Sequence, residues 1–471
     1  MIKNILLNKN IFIYILIFLC QIVGIVFKQE FIAVCLIAIL SILLILISRK
    51  DDDANIAKFI VFLLAFQNFF IGFTAHLANN TNSSLSVITQ VPTIIVYLYA
   101  FSILIKKKLD KLDLFFFILC AMLVISALIN ISSGKLVGKL NYIRNYTVFY
   151  CFFLMGRHFL DKLANLKSLM SFTEKIAIFM SIIGIIFIVC PFSLFKALGI
   201  NELYIAKGAP LTGDYMGRFT TTIYKNSIKR IGSLMFEPIN FGYFLIVPLI
   251  TLMFKCRKRD FISLLKFVIV LLAFLTSFSK GAYLIFFATV GMYIFFKVIS
   301  HIVISEDKPV NIYSKGRSIF TMAILTVGIA VCSLAYYKLV GAAANTHFWA
   351  IERTFVNTLH RPLFGYGIGT GGNYGSQNSG WLESGGESGL MGLIYQMGYI
   401  FAFITFLLYS KISYQNFKNK HNFMLAILPF VFFVMSIFQE NTFSPQCLGI
   451  LFLVSGALYS MGDLQDKEMS L

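Results

Sequence analysis

The sequence predicts an all-α integral membrane protein with about fourteen transmembrane helices. Three observations carry this: a very apolar composition, apolar runs of spanning length along the whole chain, and basic residues gathered in alternate connections between those runs. Of 471 residues, 58% are hydrophobic and 13% charged. That much apolar surface cannot be hidden in one soluble core, and a bilayer is the remaining solvent. The 51 Phe and 22 Tyr suit helices facing acyl chains and headgroups, while nine Pro and two Trp leave little for a soluble appendage. One integral domain over residues 1–471 is expected. A formal charge of +19 would suggest nucleic acid in a soluble protein; here short loops hold the basic residues, and no nucleic-acid partner is expected.

In chain order, spanning stretches lie near residues 11–27, 31–48, 56–78, 87–105, 114–131, 146–160, 176–198, 235–254, 261–278, 281–299, 318–337, 389–409, 422–438 and 447–461, the sixth being short. The first follows Lys3 and Lys9 and runs into VGIVFKQE (Val23–Glu30), which has no small-x-small cleavage site, so it is expected to stay as a helix. Cysteines fall mostly inside these runs (Cys20, Cys35, Cys120, Cys151, Cys190, Cys332) with no CxxC pair and no His at metal-ligand spacing, so neither a disulfide framework nor a zinc site is expected. Intramembrane polar groups are sparse: Lys266, and Gln67, Asn68 and His76 in the third span. An ion-coupled transporter would show mid-membrane Asp or Glu, or paired broken helices. Interhelical hydrogen bonding is the preferred reading of Gln67, Asn68 and His76.

Orientation follows from Lys and Arg counted in alternate connections, about 26 on the side of the termini against about 14 opposite, which places both termini in the cytoplasm. Three connections assigned to the outside carry charge nonetheless: 132–145 with Lys135, Lys139 and Arg144; 199–234 with Lys207, Arg218, Lys225, Lys229 and Arg230; and 338–388 with Arg353 and Arg361. An outer anionic ligand would retain such residues. Solvation of long loops, which translocate regardless of charge, is the plainer explanation. The loop 338–388 contains HRPLFGYGIGTGGNYG (His360–Gly375), six glycines among aromatics, a composition suited to close approach of backbone to a ligand. No Rossmann fingerprint or P-loop surrounds it, and no Gly-x-Ser-x-Gly, His-Glu-x-x-His or metal-type carboxylate cluster occurs elsewhere.

Four segments in order, RIGSLMFEPINFGYFL (Arg230–Leu245), SFSKGAYL (Ser277–Leu284), HRPLFGYGIGT (His360–Thr370) and ESGLMGLIYQMGYIFAF (Glu387–Phe403), resemble the O-antigen polymerase and O-antigen ligase superfamily. The resemblance extends over Arg230–Phe403; the first 200 residues share only their character as spans. It implies a membrane fold of the glycosyltransferase C type with large outer loops at 199–234 and 338–388 forming the active site. It also implies a polyprenyl-diphosphate-linked oligosaccharide donor, no metal and no other cofactor, and placement in a bacterial inner membrane. A chain-length regulator and a flippase are the partners implied. Two departures stand out: Lys280 occupies a position where the family commonly has Arg, and the spacing of a basic residue to a glycine eleven places on is met by His360 with Gly371 and Arg361 with Gly372 but not by Arg230, which meets Phe241.

Departure of a diphosphate builds negative charge that fixed cations stabilise, and Arg230, Lys280 and Arg361 are the candidates; Arg binds phosphate oxygens in pairs. Arg230 could instead anchor a helix end at the headgroups. The acceptor hydroxyl must lose a proton, for which His360 and Glu387 are the candidate bases, Glu387 otherwise serving as a dipole partner at a helix N-terminus. Glu237, before Pro238, reads as structural at a helix start. The expected activity is polymerisation of lipid-linked repeat units on the outer face, with a ligase, or a transporter of lipid-linked saccharides, as the alternatives.

Overall fold

A computed structural model describes residues 9–48, 53–129, 136–207, 219–223, 226–256, 260–303, 342–375, 380, 382–419 and 422–461. The expected span 318–337, Cys332, and Lys135, Arg218 and Lys225, expected on the outer face, lie outside the described residues. The described chain is helical apart from turns and one short hairpin. Among the described residues, six helices are long and apolar enough to cross a membrane: Glu30–Ile47, Ala54–Leu77, Lys111–Ile129, Leu163–Val189, Pro238–Lys255 and Gly389–Lys418. Six shorter apolar helices accompany them. This is the pattern of an all-α membrane protein.

The chain divides into two compact units, the first formed by residues 1–107 and 151–279 and the second by 108–150 and 280–470. The first contains α1 (Lys9–Val26), α2 (Glu30–Ile47), α3 (Asp53–Leu77) and α4 (Val91–Lys106). Next, α5 (Lys111–Ile129) belongs to the second unit, and α6 (Leu136–Phe159) contains the boundary at residue 150. The first unit is completed by α7 (Leu163–Val189), a hairpin of β1 (Thr220–Ile223) and β2 (Asn226–Lys229), α8 (Pro238–Lys255) and α9 (Phe261–Thr276). The second unit adds α10 (Lys280–Val303), α11 (Ala342–Thr358), α12 (Gly389–Lys418), α13 (Phe423–Met435) and α14 (Pro445–Ser460). Within it α12 packs against α5, α11, α13 and α14.

The segment 199–234, expected only as a loop, holds a helical turn at Ile200–Ala206 and the antiparallel hairpin, in which Thr220 pairs with Lys229 and Ile223 with Asn226. Thr and Ile favour the extended backbone over helix, which explains strand in an otherwise helical chain.

Polar residues of the first unit act as interhelical glue. Gln67 Nε2 donates to the Ile88 carbonyl at 2.5 Å and Asn68 Nδ2 to that of Met235 at 2.7 Å, while His76 Nδ1 lies 2.8 Å from Glu202 Oε1. Lys266, an isolated cation in the sequence, sits 3.9 Å from Glu174, whose other oxygen is 2.5 Å from Lys255 Nζ. The carboxylate thus joins α7, α8 and α9. Glu174 is buried while Lys255 is about one-third exposed, so breaking the pair is costly chiefly through the charge left behind. Glu174→Leu is expected to lower stability by about 1–3 kcal/mol, and Glu174→Leu with Lys255→Met by less, read as melting temperature in detergent.

Candidate active site

The glycine-rich segment 360–375 is seated on a break in α12. Within that helix Gly398 has φ 78° and ψ 176°, a backbone conformation essentially closed to residues with a Cβ. The break frees main-chain groups that a continuous helix would pair internally, and the loop takes them up. Tyr366 N–H donates to the Tyr395 carbonyl at 2.8 Å and Gly367 N–H to that of Gln396 at 2.9 Å, while Tyr399 N–H donates to the Pro362 carbonyl at 2.8 Å. Three further contacts fix the loop: Gly369 N–H to Gln396 Oε1 at 2.7 Å, Ile368 N–H to Ser126 Oγ at 3.0 Å, and Tyr366 stacked on Tyr395 at 4.6 Å.

The glycines expected to let backbone approach a ligand therefore let it approach the protein itself. A Cβ at Gly365 would stand 2.6 Å from the backbone of α12, and one at Gly369 2.6 Å from Lys139 Cγ. Gly372, with φ 67°, leaves no room because Tyr142 Oη and Glu440 Oε1 occupy the space a side chain would need.

Glu440 lies in the turn between α13 and α14 and is 8% exposed. Its Oε1 accepts from Tyr142 Oη at 2.5 Å and its Oε2 from Asn373 N–H at 3.1 Å, so one carboxyl clasps the start of α6 to the end of the docked loop. Burial pushes the Glu440 carboxyl up to about 7; the Tyr142 and Asn373 hydrogen bonds act in the opposite direction, and the charge of nearby Glu387 adds to the rise. Glu387 is half-buried and immediately precedes Ser388, whose hydroxyl accepts from Met391 N–H at 3.1 Å and caps α12. The two stretches touch directly, since Leu390 N–H donates to the Ser436 carbonyl at 3.1 Å.

A carboxyl whose folded pKa exceeds its unfolded value near 4.3 favours the folded state fully below that value, and the contribution declines as pH rises toward about 7. Glu440→Gln removes this dependence. Its melting temperature relative to wild type is expected to be higher by a few degrees at pH 8 than at pH 5; a difference independent of pH would contradict the assignment.

Comparison with family models, curated proteins and solved structures returns no match. The chemistry must be read from the residues.

Of the five residues expected in the site, four lie in the second unit and Arg230 in the first. His360 and Arg361 are exposed in the turn that ends α11, and the Arg361 guanidinium sits 5.1 Å from the centre of the Tyr366 ring. Lys280 is the exposed first residue of α10. Arg230 is engaged by the fold: Nε donates to the Ser277 carbonyl at 3.3 Å and Nη2 to that of Phe278 at 3.1 Å, placing the cation at the C-terminal end of α9. Neighbouring Lys229 does the same for α7, donating to the carbonyls of Ile188 and Cys190. Arg353 lies 3.4 Å from Glu383, and Arg144 binds Asn145 Oδ1. Several of these cations are thus held by backbone dipoles or local partners, without appeal to an anionic ligand. Glu237 stands at the N-cap position of α8, as its place before Pro238 suggested, with its side chain accepting from Tyr204 Oη at 2.7 Å rather than from the helix amides.

Glu440, Tyr142 and Gln396 are not among the site residues expected from the sequence. A signal for Glu440 was present: it is an acid in FQEN, a short connection otherwise bounded by apolar spans.

Proposed function

We propose that the protein is a membrane glycosyltransferase that polymerises polyprenyl-diphosphate-linked oligosaccharide units on the outer face of a bacterial inner membrane, with about fourteen spans and both termini in the cytoplasm. The observation that carries the reading is the pair of carboxyls, Glu387 and Glu440, beside a docked loop whose first turn presents His360 and Arg361. The ordered motifs from Arg230 to Phe403 add to it. The acceptor hydroxyl needs a base, which Glu387 supplies at the mouth of α12. The departing diphosphate needs a cation that cannot lose its charge, which Arg361 supplies on its aromatic support. The fork of Arg230 already binds two carbonyls.

The test is reconstitution of the full chain in vesicles with a synthetic polyprenyl-diphosphate-linked oligosaccharide. A ladder of lengthened lipid-linked glycans supports the reading, and Arg361→Ala is expected to slow its growth by about 10–100-fold. Transfer only to a different added acceptor would replace it with a ligase. Movement of intact units between leaflets without lengthening would replace it with a transporter.

A further inference from the structure

We propose that α11 and the turn after it form a platform that lies flat in the headgroup layer of the bilayer and binds lipid phosphates through His360 and Arg361. The platform goes beyond the polymerase reading and does not depend on it.

The helix is amphipathic with its faces reversed. A helix at a water surface turns its apolar stripe to the core and its polar residues outward. On α11 the buried positions are Ala350, Thr354 and Thr358, and the polar groups on and beside that face bond to the protein. Thr354 Oγ1 donates to the Leu382 carbonyl at 3.2 Å and accepts from Gly385 N–H at 2.8 Å. Asn357 Nδ2 donates to the Glu383 carbonyl at 3.1 Å, and Thr358 Oγ1 lies 3.1 Å from Tyr399 Oη. At 3.6 residues per turn Trp349, Phe355, Val356 and Leu359 share the opposite arc, and each is about half exposed. The turn that follows adds Leu363 and Phe364, both more than half exposed. Hydroxyls inward and large apolar side chains outward is the order a helix takes when lipid is its solvent.

Charge limits the depth. Glu352 falls within the outward arc and Arg353 at its edge, both exposed, and charges at the bilayer centre are costly. The helices of spanning or near-spanning apolarity among the described residues do not include α11. An apolar face interrupted by charge, with a tryptophan on it, belongs at the interface. The cations meet phosphate there. In LHRPLF (Leu359–Phe364) two basic residues stand among apolar ones with no acid, a pattern that pairs acyl contact with phosphate contact. Arg353 already has Glu383 at 3.4 Å, so His360 and Arg361, both exposed, are the charges offered to lipid. On the polymerase reading this holds Arg361 at the depth of a carrier lipid's diphosphate.

Trp349 and Trp381 are the two tryptophans of the chain, so Trp381→Phe leaves Trp349 as a reporter of depth. The full-length variant is reconstituted in phosphatidylcholine vesicles whose acyl chains carry bromine near the headgroup, at mid-chain or near the methyl end. Loss of emission should be greatest for bromine near the headgroup and least near the methyl end, as for a ring about 5–10 Å into the boundary of headgroups and chains. Should Trp381→Phe fail to fold, the same profile is read as the difference between wild type and Trp349→Phe. Greatest loss at the methyl end overturns the proposal, and so does quenching by aqueous iodide without quenching by bromine. Protection from both, the mark of a face covered by a second copy or another protein, overturns it as well. Phosphate binding is read by moving the reporter with Phe364→Trp in a chain carrying Trp349→Phe and Trp381→Phe. Phosphatidylglycerol with a shallow spin label should quench it about 2–5-fold more than phosphatidylcholine with the same label, and adding His360→Gln with Arg361→Gln should equalise the two. Equal quenching with both cations present, or a preference that survives their loss, overturns the phosphate assignment.

Discussion

Gly398→Ala should unseat the docked loop. The new methyl group would drive into the Leu363 carbonyl and the Phe364 amide, which are main chain and cannot rotate away, and it would sit on a backbone with φ 78°. Overpacking typically costs about 1–3 kcal/mol and a side chain in this region of φ/ψ space a similar amount, so a loss of roughly 3 kcal/mol or more is expected. The helix has a second way to respond, closing its break and expelling residues 362–367. Hydrogen exchange separates the two: faster exchange at Tyr366, Gly367 and Tyr399 with little change in the rest of α12 marks expulsion, and a lowered melting temperature marks strain. Full protection of those three amides together with an unchanged melting temperature would refute the account of the dock.

Glu387→Ala should abolish most glycan transfer while leaving the fold in place. A positioned base contributes about 10²–10⁴-fold to such a step, and that loss is expected in the initial rate with lipid-linked oligosaccharide. The fold should tolerate the change because the cap of α12 is made by the Ser388 hydroxyl. His360→Ala provides the contrast. His360 is exposed in a turn and its backbone amide bonds to Asn357, so its loss should have a smaller effect on both rate and stability. A larger rate loss in His360→Ala than in Glu387→Ala would transfer the role to histidine.

What the sequence made legible and what it hid divide along the range of the interactions concerned. Apolar runs such as Glu30–Ile47 and Leu163–Val189 announce themselves because the bilayer acts on each segment separately. Helix starts such as Glu237–Pro238 are equally local. The Glu440–Tyr142 bond joins residues 298 positions apart, and neither residue carries a local pattern that names the other. The glycines of 365–372 were visible as backbone freedom, but composition alone does not say what the freed backbone will meet; the answer is α12, Lys139 and Tyr142. The partners of Lys229 and Arg230 stay hidden for the same reason: they are helix-end carbonyls that acquire an address only once α7 and α9 are folded.

The loop is held to α12 mostly by atoms every residue possesses. Tyr366, Gly367 and Tyr399 contribute amides and Pro362 a carbonyl, whereas the side chains of Leu363 and Phe364 are 56% and 67% exposed. A surface mounted this way behaves like a socket with an exchangeable face: substitutions at 363 and 364 can remodel what the loop shows to its surroundings without loosening the mount, so the exposed face can diverge while the architecture holds.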